Sequence, residues 1–271
     1  METPLFQRAG ERFIPSEHAR GPWSPEAQHG GPPAALVVRA LEALPADAPM
    51  SLARVTLEIL GPVPLAPLSL TAAVERPGRR VQLVSATVLA EDVEVCRALG
   101  WRLRVTDLGD VLGAPEALPF PAPRDATPAD ADPGPDAFHR TGVEMRYVRG
   151  SLRQPGPCVA WIRLRRPVVD DEMPSPAMRT VAAADFGNGI SSVVSWERYG
   201  FLNTDLTVYL HRHPDGEWVC LDATTHAERA GVAVAASRLY DERGRIGLSA
   251  QTLLVEPRAS GLDGTSGNGV P

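Results

Sequence analysis

Val55-Thr56-Leu57-Glu58-Ile59 is answered about 151 residues later, without a gap, by Leu206-Thr207-Val208-Tyr209-Leu210. Working outward at the same offset, Leu68-Ser69-Leu70-Thr71-Ala72 falls on Val219-Cys220-Leu221-Asp222-Ala223. Val81, Leu83, Val88 and Leu89 then fall on Val232, Val234, Leu239 and Tyr240, and Glu91 falls on Glu242. Identities are few. What persists over roughly fifty residues is the phase of the apolar alternation. A slip of one residue would turn every side chain to the other face of its strand, so kept phase points to an internal duplication.

Each copy shows the same order of elements. Alternating strands are expected near 52–60, 67–76, 79–90 and 94–105, and again near 203–212, 217–226, 230–240 and 245–256. Turns fall at 90–92 and 241–244. A helical stretch precedes each set, at 32–44 and 174–184, with a proline at its start and an alanine-rich body. Residues 143–149 and 158–165 would supply strands ahead of the second helix. The pattern is α+β: an antiparallel meander curled around one helix, made twice.

Between the copies, residues 114–136 carry Pro115, Pro119, Pro121, Pro123, Pro128, Pro133 and Pro135. Without backbone N–H groups such a segment is expected to stay out of ladders and helices and to remain extended and solvated. The expected division is therefore a first domain at 1–110, a linker at 111–138, a second domain at 139–258, and a disordered Gly/Ser-rich tail at 259–271.

Composition narrows the function. The chain of 271 residues is 44% apolar and 22% charged with a net charge of −6, which suits a globular protein and offers no broad positive surface for nucleic acid. Arg163, Arg165 and Arg166 read as a solvated strand face. Cys96, Cys158 and Cys220 lie far apart, so zinc, redox and disulfide roles are not expected and all three read as buried apolar residues. The first residues lack the apolar core of a signal peptide, and no stretch is long enough to span a membrane, so a cytoplasmic protein is expected.

No G-x-S-x-G elbow or phosphate loop is present, Gly187-x-Gly189 being too short. His211-x-His213 would share a strand face, but Pro214-Asp215-Gly216 marks a turn there, and neither a metal nor a cofactor is expected. Two features at helix ends carry more chemistry. Gln28-His29-Gly30-Gly31-Pro32-Pro33 runs straight into the first helix; paired glycines let the backbone approach a ligand, and free N–H groups there favour negative charge. A simple turn into the helix explains the glycines equally well. Asp185 closes the second helix, where a carboxylate opposes the helix dipole, a local conflict of the kind found at functional sites. An exposed aspartate opening the turn at 185–189 is the plainer alternative.

The second half, through Ala184-Asp185-Phe186, Phe201-Leu202-Asn203-Thr204-Asp205-Leu206-Thr207-Val208, Gly216-Glu217-Trp218, Leu239-Tyr240-Asp241 and Ser249-Ala250-Gln251, resembles the C-terminal domain of bacterial acyl-CoA thioesterase II. The first half, with His29-Gly30-Gly31 and Gly100-Trp101-Arg102, is similar to that family's N-terminal domain. The resemblance implies a double hotdog: two antiparallel sheets, each wrapping a central helix, joined by the Pro-rich linker. It also implies hydrolysis of acyl-CoA to fatty acid and CoA, and by analogy further assembly into homo-oligomers.

By position the family's aspartate is Asp185 and its glutamine Gln251, while the Ser or Thr of the pattern is here Asn203. Thr204, next to it, points to the opposite strand face. The implied mechanism has Asp185 taking a proton from water that Asn203 and Gln251 orient, with His29, Gly30 and Gly31 binding the thioester. Gln251 falls on Gly100 in the first copy, so a single polar site is expected. Two other activities fit the fold. Asn203 in place of a hydroxyl favours a non-catalytic acyl-CoA or acyl-carrier-protein binder. A hotdog dehydratase would want a histidine base with an acidic partner, and the sequence places no Asp or Glu in a defensible supporting position for His29.

Overall fold

The computed structural model describes residues 3–109 and 116–258. The first half runs β1 (Phe6–Ala9), β2 (Arg12–Pro15), α1 (Gly31–Ala43), β3 (Met50–Ile59), β4 (Leu68–Arg76), β5 (Val81–Ala90) and β6 (Val93–Arg104). The short β7 (Thr127–Pro128) leads to β8 (Val143–Ser151), β9 (Gln154–Leu164), α2 (Pro176–Ala184) and a one-turn α3 (Gly187–Ile190). β10 (Tyr199–Asn203), β11 (Asp205–Leu210), β12 (Val219–Ala227), β13 (Val232–Asp241) and β14 (Gly244–Pro257) complete the second half. Adding 151 to the bounds of β4 and β5 returns those of β12 and β13, so the duplication holds in structure to the residue. Helix α2 starts where its cap dictates. Ser175 Oγ accepts from Met178 N at 3.1 Å, so α2 begins at Pro176.

The two expected sheets are in fact one. Strand order is β1-β2-β4-β5-β6-β3-β11-β14-β13-β12-β9-β8-β7, with β10 also pairing β14. The second half repeats the first in reverse about the β3–β11 seam. There Thr56 stands opposite Thr207, Leu57 opposite Leu206, and Val55 opposite Val208. Thr56 and Thr207 occupy the same place in the two copies, and their hydroxyls meet at 3.1 Å, which puts the internal two-fold axis between them. The physical reason for the merger is that β3 and β11 would otherwise be open edges with unpaired N–H and C=O groups.

Helix α1 packs on β3, β4 and β5, α2 packs on β9, β11 and β12, and the helices pack on each other, so both halves share one core. Leu36, Val38 and Leu41 of α1 are almost wholly buried, each contributing roughly 1.5–3 kcal/mol.

The Pro-rich segment corrects its expected role. Within residues 116–138, Pro123 and Ala126 are buried, Pro121 O accepts from Trp161 Nε1 at 2.9 Å, and Phe120 meets Tyr240 edge-on at 5.4 Å. It joins the ladder too: Thr127 and Pro128 pair with Tyr147 and Arg146 at the sheet's outer edge, where a missing N–H costs no bond. The segment covers Val159, Trp161, Cys220 and Tyr240 on the face of the sheet away from the helices. Residues 110–115 and the tail at 259–271 lie outside the described residues.

All three cysteines are buried, and burial pushes the Cys96 and Cys158 thiols up to about 12. No helix among the described residues is long and apolar enough to cross a membrane.

Candidate active site

The start of α1 meets the end of α2, and two glycines permit it. A Cβ on Gly31 would lie 2.8 Å from both the Ala182 carbonyl oxygen and Phe138 Cε1. A Cβ on Gly30 would lie 2.8 Å from each carboxylate oxygen of Asp185. The entry strand is tied on both sides: Gln28 N donates to Val63 O at 2.8 Å and His29 N to Ala19 O at 2.9 Å. Close approach, rather than a simple turn, accounts for the glycine pair.

Asp185 caps α2 and is only 4% exposed, so it is not the surface aspartate that a turn would carry. Its unfavourable place at the helix C-terminus is offset by three donors. Asn203 Nδ2 from β10 and Gln251 Nε2 from β14 each donate to Oδ1 at 3.1 Å, and His29 Nδ1 stands 2.7 Å from Oδ2. Gln251 Oε1 in turn accepts from Asn188 N at 3.1 Å. Gly187 makes room for that amide, since a Cβ there would sit 3.1 Å from Gln251 Oε1. Of the residues singled out in the sequence, His29, Gly30, Asn203 and Gln251 therefore surround the Asp185 carboxylate, with Gly31 next to them against the end of α2. Thr204 is turned away and bonds Thr252 O.

Sequence reasoning missed the walls. The His29 ring packs against both Phe138 and Phe186, at 5.1 and 4.5 Å between centroids, and those two rings stack on each other at 5.5 Å. Such apolar walls strengthen the polar contacts they enclose. Phe138 opens a π-helical turn, Phe138–Gly142, at the end of the Pro-rich segment. Next to it His139 is pushed down to about 4, mainly by burial and then by His29 and Arg140, against the opposing pull of Asp132. The expected lack of an acidic partner for His29 is overturned: Asp185 supplies it from the other half, across a contact that only the helix packing creates.

His211 and His213 go to separate partners, Arg245 O and Ser51 Oγ, each at 3.1 Å. Among the described residues no group of three His, Cys, Asp or Glu side chains is placed to hold a metal.

A duplicated antiparallel sheet packed on paired helices, with its polar cluster where one helix begins and the other ends, defines a hot dog protein. The solved structures agree on the fold. A Thermobifida fusca protein described as a thioesterase II is 17% identical, with 93% of this chain covering 95% of that one at a TM-score of 0.73. A Novosphingobium aromaticivorans protein described as a thioesterase is 22% identical, with 93% covering 99% at 0.71. An Alicyclobacillus acidocaldarius protein described as having a hot dog fold is 16% identical, with 94% covering 96% at 0.71. No curated protein matches the chain in sequence. Residues 19–103 match the acyl-CoA thioesterase N-terminal domain and residues 116–255 the acyl-CoA thioesterase C-terminal domain. The chain belongs to the acyl-CoA thioesterase family.

Proposed function

We propose that the protein hydrolyses acyl-CoA thioesters to the free fatty acid and CoA at the Asp185 cluster. The observation that carries this is the convergence of three side-chain donors on one buried carboxylate beside the start of α1. Asp185 supplies the negative charge that draws the proton of the attacking water, and Asn203 and Gln251 hold that carboxylate in place. The water oxygen bonds to the thioester carbon, the C–S bond breaks, and the proton passes to sulfur. Backbone N–H groups at Gly30 and Gly31 polarise the carbonyl oxygen; one such donor is worth roughly 3 kcal/mol. No side-chain nucleophile is required. In this reading each domain, 1–110 and 139–258, brings half of the site.

One observation favours a second reading. A histidine with a carboxylate 2.7 Å away is what a hotdog dehydratase would use. Family membership argues for the hydrolase. The deciding experiment incubates purified protein with short-, medium- and long-chain acyl-CoAs and follows free thiol, beside Gln251→Ala. Thiol release that the variant suppresses supports hydrolysis. Substrate whose acyl chain loses water while the thioester stays intact would replace hydrolysis by dehydration. Binding without any change to the substrate would leave a non-catalytic binder.

A further inference from the structure

Three aromatic rings flank the Asp185 cluster. Phe201 projects from the same side of β10 as Asn203, two residues and about 7 Å away. Trp196 packs on Phe201 at 5.2 Å between centroids, and a Cβ on Gly189 of α3 would lie 3.8 Å from its ring. Trp23, from the loop ahead of α1, stacks on Trp196 at 4.7 Å with 22° between the planes and lies 6.2 Å from Phe201. Like His29 on Asp185, it joins the first half to the second.

Trp196 carries an unmet group. Its Nε1–H is sealed from solvent and has no acceptor among the described residues. A buried donor left bare weakens the arrangement that buries it. Trp23, which covers it, is 40% exposed. Among the described residues no hydrogen bond ties 21–27 to the second half. Trp23 is held there by its ring contacts with Trp196 and Phe201 and by the Arg258 guanidinium 5.3 Å over it. The base of the loop is pinned, Gly21 N donating to Ala27 O at 2.8 Å and Arg20 bridging to Gln28. That leaves the Trp23 side chain as the part free to move.

The cluster calls for an opening. Asp185 is 4% exposed and Gln251 2%, which leaves a thioester little room to reach them. We propose that Trp23 is a cover that swings aside as acyl-CoA enters, and that the uncovered Nε1–H of Trp196 donates to an amide carbonyl of the substrate's pantetheine arm. This rests on the thioesterase reading. Chemistry selects the acceptor. The thioester carbonyl is already given to the amides at Gly30 and Gly31, and a saturated acyl chain offers no acceptor beyond it. The pantetheine arm does, its first amide lying a few bonds from the sulfur. Trp196 therefore sets which way the substrate lies, with the arm on the Trp196 side of the carboxylate and the acyl chain on the other.

The same contacts explain why the cover stays shut without substrate and yields to it. In the free protein the ring stack and the Arg258 contact hold Trp23 down, and the bare N–H of Trp196 works against them. Substrate supplies the missing acceptor, so the open form gains a bond that the closed form lacks.

The test compares two thioesters of one acyl group: an N-acetylcysteamine thioester, which bears the first amide of the arm, and an S-ethyl thioester, which lacks it. The wild type is expected to favour the amide-bearing substrate in kcat/KM, and Trp196→Phe to cut that preference roughly 2–10-fold, the worth of one neutral hydrogen bond. Both substrates meet the same variant, so a general loss of packing cancels from the ratio. An unchanged preference overturns the role of Trp196 and leaves the thioesterase standing. The cover is read from ¹⁹F spectra of protein labelled with fluorotryptophan, in which Trp23→Ala identifies the Trp23 line. Added CoA should move that line toward the position of a solvent-exposed indole, and a line that stays in place overturns the cover. A wild type that releases no thiol from acyl-CoA or from either thioester fails the thioesterase reading instead. The affinity for CoA then decides the contact: binding roughly 2–10-fold weaker in Trp196→Phe upholds it, and equal affinity overturns it.

Discussion

Asp185→Asn and Asp185→Ala separate what the carboxylate does for chemistry from what it does for the fold. In the asparagine variant the retained oxygen stays at Oδ1, where Asn203 and Gln251 both donate, so the new NH2 group faces His29 Nδ1. Two donors cannot face each other. The ring proton moves to Nε2, and Nδ1 becomes the acceptor. Three charge-assisted bonds become neutral ones at a cost of about 1 kcal/mol each, while the several kcal/mol spent in desolvating a buried charge is no longer required. The two nearly offset, and Tm is expected to move by only a few degrees. Activity does not survive the exchange, because a neutral amide cannot draw a proton from water; a fall of 10²–10⁴-fold in kcat is expected, about 2.7–5.4 kcal/mol.

Alanine reverses the pattern of stability. It leaves the donors of Asn203, Gln251 and His29 facing an empty space, each unmet group costing about 1–3 kcal/mol, so a loss of at least about 3 kcal/mol is expected. Thermal unfolding and thiol release, run on both variants beside the wild type, read the two effects separately. An asparagine variant with a rate within about tenfold of the wild type would refute the role given to the Asp185 carboxylate. An alanine variant as stable as the wild type would show that the three donors do not depend on the carboxylate.

Gly31→Ala should lower stability by about 1–3 kcal/mol and reduce thiol release with it, because the added methyl meets the Ala182 carbonyl and Phe138; unchanged Tm would mean the two helix ends are not in contact. Asp241 is wholly buried, and burial raises its pKa, but paired bonds from Arg212 and amides of Asp215 and Arg243 outweigh that and hold it below the usual carboxylate range. A depressed carboxylate stabilises the fold above its unfolded pKa, roughly 3.9, and loses that contribution as pH falls through the folded value. Asp241→Asn should therefore cost about 3–5 kcal/mol in urea unfolding at pH 7, with the gap closing below about pH 4; a gap independent of pH would contradict the argument. Phe120→Ala, which strips the edge-on contact with Tyr240, is expected to cost roughly 2 kcal/mol and shift tryptophan emission as the cover over Trp161 loosens. No change in either would restore the view of 111–138 as a free linker.

The strands were legible because period-two alternation at a fixed offset constrains every residue at once, and β4, β5, β12 and β13 bear this out. The Pro-rich segment was misread because missing N–H groups say nothing about what lies between the prolines. Leu118 and Phe120 are apolar, and their destination was encoded elsewhere. In β9 the run Cys158-Val159-Ala160-Trp161-Ile162 is buried on both faces, a continuous apolar stretch that calls for a cover on each side of the sheet. The edge strand β7 was invisible for a related reason: two residues carry no periodicity.

The site divides in the same way. Asp185, Asn203 and Gln251 could be named by resemblance, but the His29–Asp185 contact joins two halves through helix packing, and no local pattern encodes it. The asymmetry of the duplication explains why the described residues hold one such cluster. At the offset of 151, Asn203 and Gln251 fall on Leu52 and Gly100. A Cβ on Gly100 would lie 3.0 Å from Leu52 Cδ1, 3.1 Å from Val84 Cγ2 and 3.2 Å from Leu41 Cδ1. In the first half, then, the space used by the Gln251 side chain is closed by apolar atoms, among them the very residue that replaces Asn203. No carboxylate could be satisfied there. That half gives up its own donors and presents His29 and two glycines instead, and α1 can approach Asp185 only because it does so.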